Sequence, residues 1–233
     1  MPGYRKKKHL AFVKYPKIAG TFIKAYMQRY TKSLDVKVTH TYGEINKHSP
    51  VMNTNRFYTF TFVRNPWAWQ VSYYFHYCQS PQNPNRHLFV ARYPTFDEWV
   101  HDAPNHNDVH KRVFGGIYSY MQDFFIDNCY LHGNLMIDYV GTVENLNYDV
   151  RKILILNNCF EIDRENEVGT PEDFYNRCDK EYCHIRDTAV NKTEHDHYST
   201  YYTEETKELI RSNNEQLIGM FQYQFEEKPE SQT

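Results

Sequence analysis

Apolar runs alternate with helical periodicity along the first eighty residues. His9 to Tyr15 reads as a short strand and runs into Pro16-Lys17-Ile18-Ala19-Gly20-Thr21. Ile23, Tyr26, Met27 and Tyr30 then recur at helical spacing on one face. Residues 31–56 are polar and read as irregular. Phe57 to Val63 is a second strand pattern, rich in β-branched and aromatic residues, and it stops at Arg64-Asn65-Pro66. Trp67, Val71, Tyr74 and Cys78 fall on one face of a following helix, with Asn65 as its N-cap and Pro66 at its first position. Two strand–loop–helix units are therefore expected before residue 80.

The rest of the chain continues the alternation. Residues 79–94 read as a Pro/Asn-rich loop, and Thr95-Phe96-Asp97-Glu98 is a capping box that starts a helix. Residues 102–116 are loop-like, and a helix is expected over 117–128. Leu135 to Gly141 reads as a buried strand and Leu146 to Asn157 as an amphipathic helix. Residues 161–188 are charged and poor in aliphatics, as in a surface excursion. Thr203 with Glu204 and Glu205 opens a last helix, its acids suiting the positive helix end. This order predicts an α/β fold: one domain over 1–233, with a central, largely parallel sheet flanked by helices. The basic terminus 1–8 and the polar tail 226–233 are expected to be flexible.

Composition narrows the function. The chain has 233 residues, 27 basic and 29 acidic, for a net charge of -2. Global charge therefore predicts no nucleic-acid partner, and any anion site must be built locally. No apolar run approaches the roughly 20 residues that cross a bilayer, and the basic start is followed by a strand rather than a signal peptide. Five cysteines form no framework, so reduced thiols in a cytoplasmic setting are expected. Cys178, Cys183 and His184 lack the spacing of a zinc site, so no metal is expected. His101, His106 and His110 lie in a loop-like stretch and read as surface residues. The abundance of Asn, Tyr and Lys is the usage of an AT-rich genome, microbial or viral.

The two loops carry the chemistry. A strand-to-helix turn offers backbone N–H groups and a positive helix end, which together favour a phosphate or sulfate. The first loop adds Lys17, Gly20 and Thr21, and the second adds Arg64 and, two turns into the helix, Ser72. In an open α/β sheet both loops would lie on the carboxyl edge, where ligands bind. The first loop is not a Walker A motif, because its lysine precedes its glycine. Lys17 as a solvated loop residue and Arg64 as an ion-pair partner are the plainer alternatives.

YPKIAGT (15–21) resembles the 5′-phosphosulfate loop of sulfotransferases, and FVRNPWAWQVSYYF (62–75) resembles their 3′-phosphate motif, in which a serine follows eight residues after the arginine. THTYGEI (39–45), DYVGTVENL (138–146) and the segment 189–225 are similar to further stretches of the carbohydrate-type, Golgi-type branch. The matches are spread over residues 9–78 and 136–225. The resemblance implies a P-loop-nucleotide-hydrolase-like sulfotransferase fold, here in a soluble member. It implies 3′-phosphoadenosine 5′-phosphosulfate (PAPS) as donor, PAP as product, and a hydroxyl acceptor, with a carbohydrate favoured.

The same resemblance assigns roles. Lys17, with the backbone of Ile18, Ala19, Gly20, Thr21 and Phe22, would hold the 5′-phosphosulfate, and Lys17 would neutralise the leaving phosphate. Arg64 and Ser72 would hold the 3′-phosphate. His40 is the candidate base, with Glu44 either the alternative or the group that orients it. Trp67 would pack on the adenine or serve as a core aromatic, and Lys192 and Thr193 would close over the nucleotide. Two features depart from the pattern. Ala68-Trp69 stands where the family often has Asp-Arg, and 161–188 has no counterpart. A P-loop-like kinase or hydrolase, and a non-catalytic nucleotide- or glycan-binding module, are the competing readings.

Overall fold

A computed structural model describes residues 9–31, 38–42, 57–81, 83–84, 86–102, 120–157 and 195–228. The chain divides into two compact units: Met1–Val63 with Asn128–Val190, and Arg64–Asp127 with Asn191–Thr233.

The first unit holds a four-stranded sheet. Its strands are β1 (His9–Lys14), β2 (Val38–Tyr42), β3 (Phe57–Val63) and β6 (Tyr139–Thr142), in the order β2-β1-β3-β6 and all parallel. Leu10, Ala11, Phe12 and Val13 are all buried, as a central parallel strand requires on both faces. Phe12 stacks on Phe60 at 5.2 Å, and the edge of Phe62 meets both rings at 6.3 Å. The buried Thr61 hydroxyl donates to the Val13 carbonyl at 2.8 Å. Helix α1 (Gly20–Thr31) buries Ile23, Tyr26 and Met27, the face its periodicity marked.

Strand β2 falls inside the stretch expected to be irregular. Val-Thr-His-Thr-Tyr carries little apolar signal, but β1 offers its outer edge and pairs it residue for residue, Leu10 with Val38 through Lys14 with Tyr42. The strand expected over 135–141 is also divided. Tyr130–Leu131 (β4) and Asn134–Leu135 (β5) form an antiparallel hairpin through His132 and Gly133, both at positive φ. The Asp138 carboxylate then accepts from the Thr59 amide at 2.7 Å and hydroxyl at 2.9 Å, so regular pairing begins only at Tyr139.

Helix α6 (Leu146–Leu156) is tied to β6 by the buried carboxylate of Asp149. It accepts from the Tyr139 hydroxyl at 2.6 Å and the Thr142 amide at 2.8 Å. Gly141 makes the close approach possible, since a Cβ there would stand 2.6 Å from Phe62 Cε1 and 3.0 Å from Asp149 Cβ.

Among the described residues, the regular structure of the second unit is helical. Helix α2 (Pro66–Tyr74) continues as a π-helical turn (Phe75–Gln79), followed by α3 (Arg86–Arg92), α4 (Phe96–His101), α5 (Met121–Cys129, its last two residues in the first unit), α7 (Glu204–Asn213) and α8 (Glu215–Phe221). Helix α3 lies where a loop was expected. Its one buried residue, Phe89, packs 5.0 Å from Tyr77, too small an apolar signal to stand out in sequence. The α4 capping box forms both of its bonds. Helix α2 is buried on nearly every side rather than on the single face expected. Trp69 contributes to this: its ring is fully buried and stacks on Tyr73 at 4.5 Å. The polar tail is tied as far as 228, with the Glu226 amide donating to the Tyr198 hydroxyl and the Lys228 amide to Ser199 Oγ.

Replacing Asp149 with alanine removes the acceptor of the Tyr139 hydroxyl and the Thr142 amide and hydroxyl. The expected loss of unfolding free energy is about 3 kcal/mol, read as a lower urea midpoint at unchanged slope. A wild-type midpoint would show that the carboxylate does not hold β6 to α6.

Candidate active site

The first anion loop leaves the carboxyl end of β1. Lys17 and Ala19 both sit at positive φ, 65° and 59°. Pro16 is held at negative φ by its ring, and Ile18 and Gly20 are also on the negative side. The sign of φ therefore alternates from 16 to 20. Such alternation turns successive N–H groups toward one concavity, an anion-binding nest. Left-handed conformation costs a non-glycine residue roughly 1 kcal/mol or more, and strain of this kind concentrates at functional sites. Tyr15 and Ile18 are buried and anchor the loop, while Lys17 and Ala19 are half-buried and Thr21 is exposed. The α1 ladder begins with the Ile23 amide bonding to the Ala19 carbonyl at 2.9 Å, so the amides of Gly20, Thr21 and Phe22 lie ahead of it. Phe22 stacks on Tyr26 at 5.7 Å.

Gly20 answers to a different need from the one its place in the motif suggests. Its φ is negative and helical, so the backbone does not require glycine. A Cβ at this position would instead lie 2.6 Å from Cε, 3.0 Å from Cγ and 3.1 Å from Cδ of Lys14. The missing side chain makes room for the Lys14 stem.

His40 pairs in register with Phe12 of β1, two residues before β2 ends. Glu44, Lys192 and Thr193 lie outside the described residues, as do Cys159, Cys178 and Cys183.

The second anion loop begins where β3 ends, at Arg64, which is half-buried. Its amides differ from expectation. Asn65 Oδ1 accepts from the Trp67 amide at 3.1 Å and the Ala68 amide at 3.3 Å. The Trp69 amide donates to the Asn65 carbonyl at 2.8 Å, and Pro66 has no N–H. The cap takes the Trp67 and Ala68 amides and the helical ladder takes that of Trp69, so these three are not offered to an anion. Arg64 and Ser72 are the side chains at this turn that could hold one. Ser72 is 4% exposed.

Trp67 belongs to the core. It is 3% exposed, its indole N–H donates to the Lys207 carbonyl at 3.0 Å, and its ring meets the edge of Phe225 at 5.6 Å. Asn65 Nδ2 donates to the Gln224 carbonyl at 2.9 Å, fastening the cap to the C-terminal segment.

Other groups qualify or drop out on their chemistry. Burial pushes the Cys78 thiol up to about 12 and raises the Cys129 thiol as well, so both are inert at neutral pH. Among the described residues, no three His, Cys, Asp or Glu side chains gather as a metal-ligating group. Two residues escaped the sequence reading. Lys14 reads as a strand end, and only its packing against Gly20 reveals it. His195 lies 5.0 Å from the Phe75 ring, with Nδ1 2.7 Å from the Asp196 carbonyl. Its sequence signal is its place just after the Asn-Lys-Thr segment.

No curated protein matches the chain. The sequence model described as the sulfotransferase family matches residues 4–224, almost the full length. That match agrees with a parallel α/β sheet whose first strand runs into a Pro-Lys-x-x-Gly-Thr turn at the head of a helix. The chain belongs to the sulfotransferase family.

Proposed function

We propose that this sulfotransferase moves a sulfuryl group from PAPS to a hydroxyl of a carbohydrate acceptor. The observation that carries the reading is the sign-alternating, strained backbone at Lys17 and Ala19, at the head of α1. A nest of amides with a lysine inside it suits a tetrahedral oxyanion. The buried Ser72, two turns into the helix that follows Arg64, supports a second phosphate site beside it. That second site favours a 3′-phosphorylated nucleotide over ATP. The carbohydrate acceptor rests on the likeness of 39–45 and 138–146 to the carbohydrate-type branch.

PAPS supplies a sulfuryl group already activated on a phosphate leaving group. The residues of the chain have the remaining tasks. Lys17 and the amides of Ile18 to Phe22 hold the 5′-phosphosulfate. The Lys17 ammonium also offsets the charge that grows on the leaving phosphate, as preorganised cations do in phosphoryl transfer. Arg64 grips the 3′-phosphate with its guanidinium fork while Ser72 donates its hydroxyl. His40 takes the proton from the acceptor hydroxyl, a role suited to a group that titrates near neutrality. Glu44 is the alternative base or the group that orients His40. Lys192 and Thr193 close over the nucleotide. Trp67 supports the site from the core, through the helix that carries Ser72.

Three measurements test these roles. Lys17→Ala should lower kcat with PAPS at least about hundredfold, with a smaller change in PAP affinity; near-normal turnover removes the leaving-group role. Arg64→Ala should weaken PAP binding by calorimetry about tenfold or more, and unchanged affinity ends the 3′-phosphate assignment. His40→Ala should abolish sulfate transfer to a glycan panel while PAP binding is kept. Full activity moves the base elsewhere.

A further inference from the structure

The chain leaves helix α8 at Gln222, whose φ of 54° is left-handed and turns it away from the helix axis. Tyr223 to Lys228 then run without regular structure, yet each residue is tied. The Tyr223 amide donates to the Ile218 carbonyl at 3.1 Å, the Glu226 amide to the Tyr198 hydroxyl at 2.6 Å and the Lys228 amide to Ser199 Oγ at 3.0 Å. The half-buried Phe225 ring stands at right angles to the rings of Trp67, Tyr198 and Tyr202, 5.4 to 5.6 Å from each. The Lys207 ammonium lies 4.4 Å from the centre of the same ring and pairs with Glu227 at 3.6 Å. The Gln224 carbonyl accepts from Asn65 Nδ2 at 2.9 Å.

Asn65 is the pivot of this strap. It directly follows Arg64, is 4% exposed, and caps α2 through its Oδ1. Serine and aspartate cap helices as well as asparagine does, but asparagine adds an NH2 group, and here that group holds the strap. Trp67 is clamped as well. Its indole N–H donates to the Lys207 carbonyl at 3.0 Å, and its own carbonyl accepts from the Tyr202 hydroxyl at 2.9 Å. The start of α2 is therefore fixed by the C-terminal segment. Peptide units are planar, so fixing Asn65 also fixes the path of the backbone past Arg64. A long guanidinium side chain on a fixed backbone loses less freedom when it grips an anion, and preorganisation of this kind raises affinity.

We infer that the strap Tyr223–Lys228 positions the 3′-phosphate site. By gripping Asn65 and Trp67 it sets where Arg64 and Ser72 stand, and it acts through them rather than on the nucleotide itself. The inference rests on the donor reading above and adds Asn65 and Phe225 as positioning residues.

Two variants test it. Asn65→Ser keeps a helix cap and removes the NH2 group, and Phe225→Ala removes the ring. Affinities are measured by calorimetry for PAP and for adenosine 5′-phosphate, which lacks the 3′-phosphate, and thermal unfolding is followed for the free proteins. Each variant should weaken PAP about tenfold and leave adenosine 5′-phosphate unchanged, so the ratio of the two affinities falls. A ratio that stays at the wild-type value overturns the inference, and a lower unfolding temperature then marks the strap as a stabilising element alone. Equal losses for both nucleotides keep that ratio and overturn it too. Asn65→Ser carries the decision if Phe225→Ala does not fold. Arg64→Ala is run in parallel. If it lowers the ratio while the strap variants do not, only this inference fails; if it leaves the ratio unchanged, the donor reading fails with it.

Discussion

Parallel pairing of β1 with β2 and β3 is the constraint on which the rest depends. Parallel strands send the chain out at the same edge, so the turns after Lys14 and after Val63 both begin there. Parallel strands also need long crossovers, which place α1 after the first turn and helices α2 to α5 after the second. The carboxyl edge thereby collects helix beginnings and loop residues, while the strands supply only apolar support. Phe12, Phe60 and Phe62 fill the layer beneath, and Thr61 meets its one polar need through the Val13 carbonyl.

The two turns use their backbone amides in opposite ways. The first keeps its amides ahead of the helical ladder and bends the backbone at Lys17 and Ala19 into a conformation that costs energy without a ligand. The second satisfies the Trp67 and Ala68 amides internally with Asn65. Under the proposed donor reading, the first would suit charge that changes during reaction, because fixed dipoles need no rearrangement as charge moves, and the second would suit charge that stays constant.

Much of this was legible in the linear chain. The strand–turn–helix units, the Thr95 and Thr203 caps, helix α6 and the lysine and arginine of the two loops all follow from local rules of periodicity, capping and loop chemistry. What escaped had no local signal. Strand β2 is polar and exists because β1 has an edge to fill. Helix α3 buries one side chain. The division of 134–142 into hairpin and strand depends on Asp138 reaching Thr59, 79 residues away in sequence. The capping of α2 was half visible. Asn65 was read as a cap, but capping and anion binding compete for the same amides, and the distances show which one takes them.

The sequence by itself determined the fold class, the family and the positions of Lys17, Arg64 and Ser72, because motif spacing and hydrophobic period are properties of neighbours along the chain. Tertiary structure alone decided what surrounds those positions. It assigned Trp67 to the core by closing Phe225 and the Lys207 carbonyl around it, and it buried Ser72. It also gave Gly20 its reason, the stem of Lys14. Burial, close approach and backbone sign are set by residues far apart in sequence or by the three-dimensional path of the turn, and no linear pattern records them.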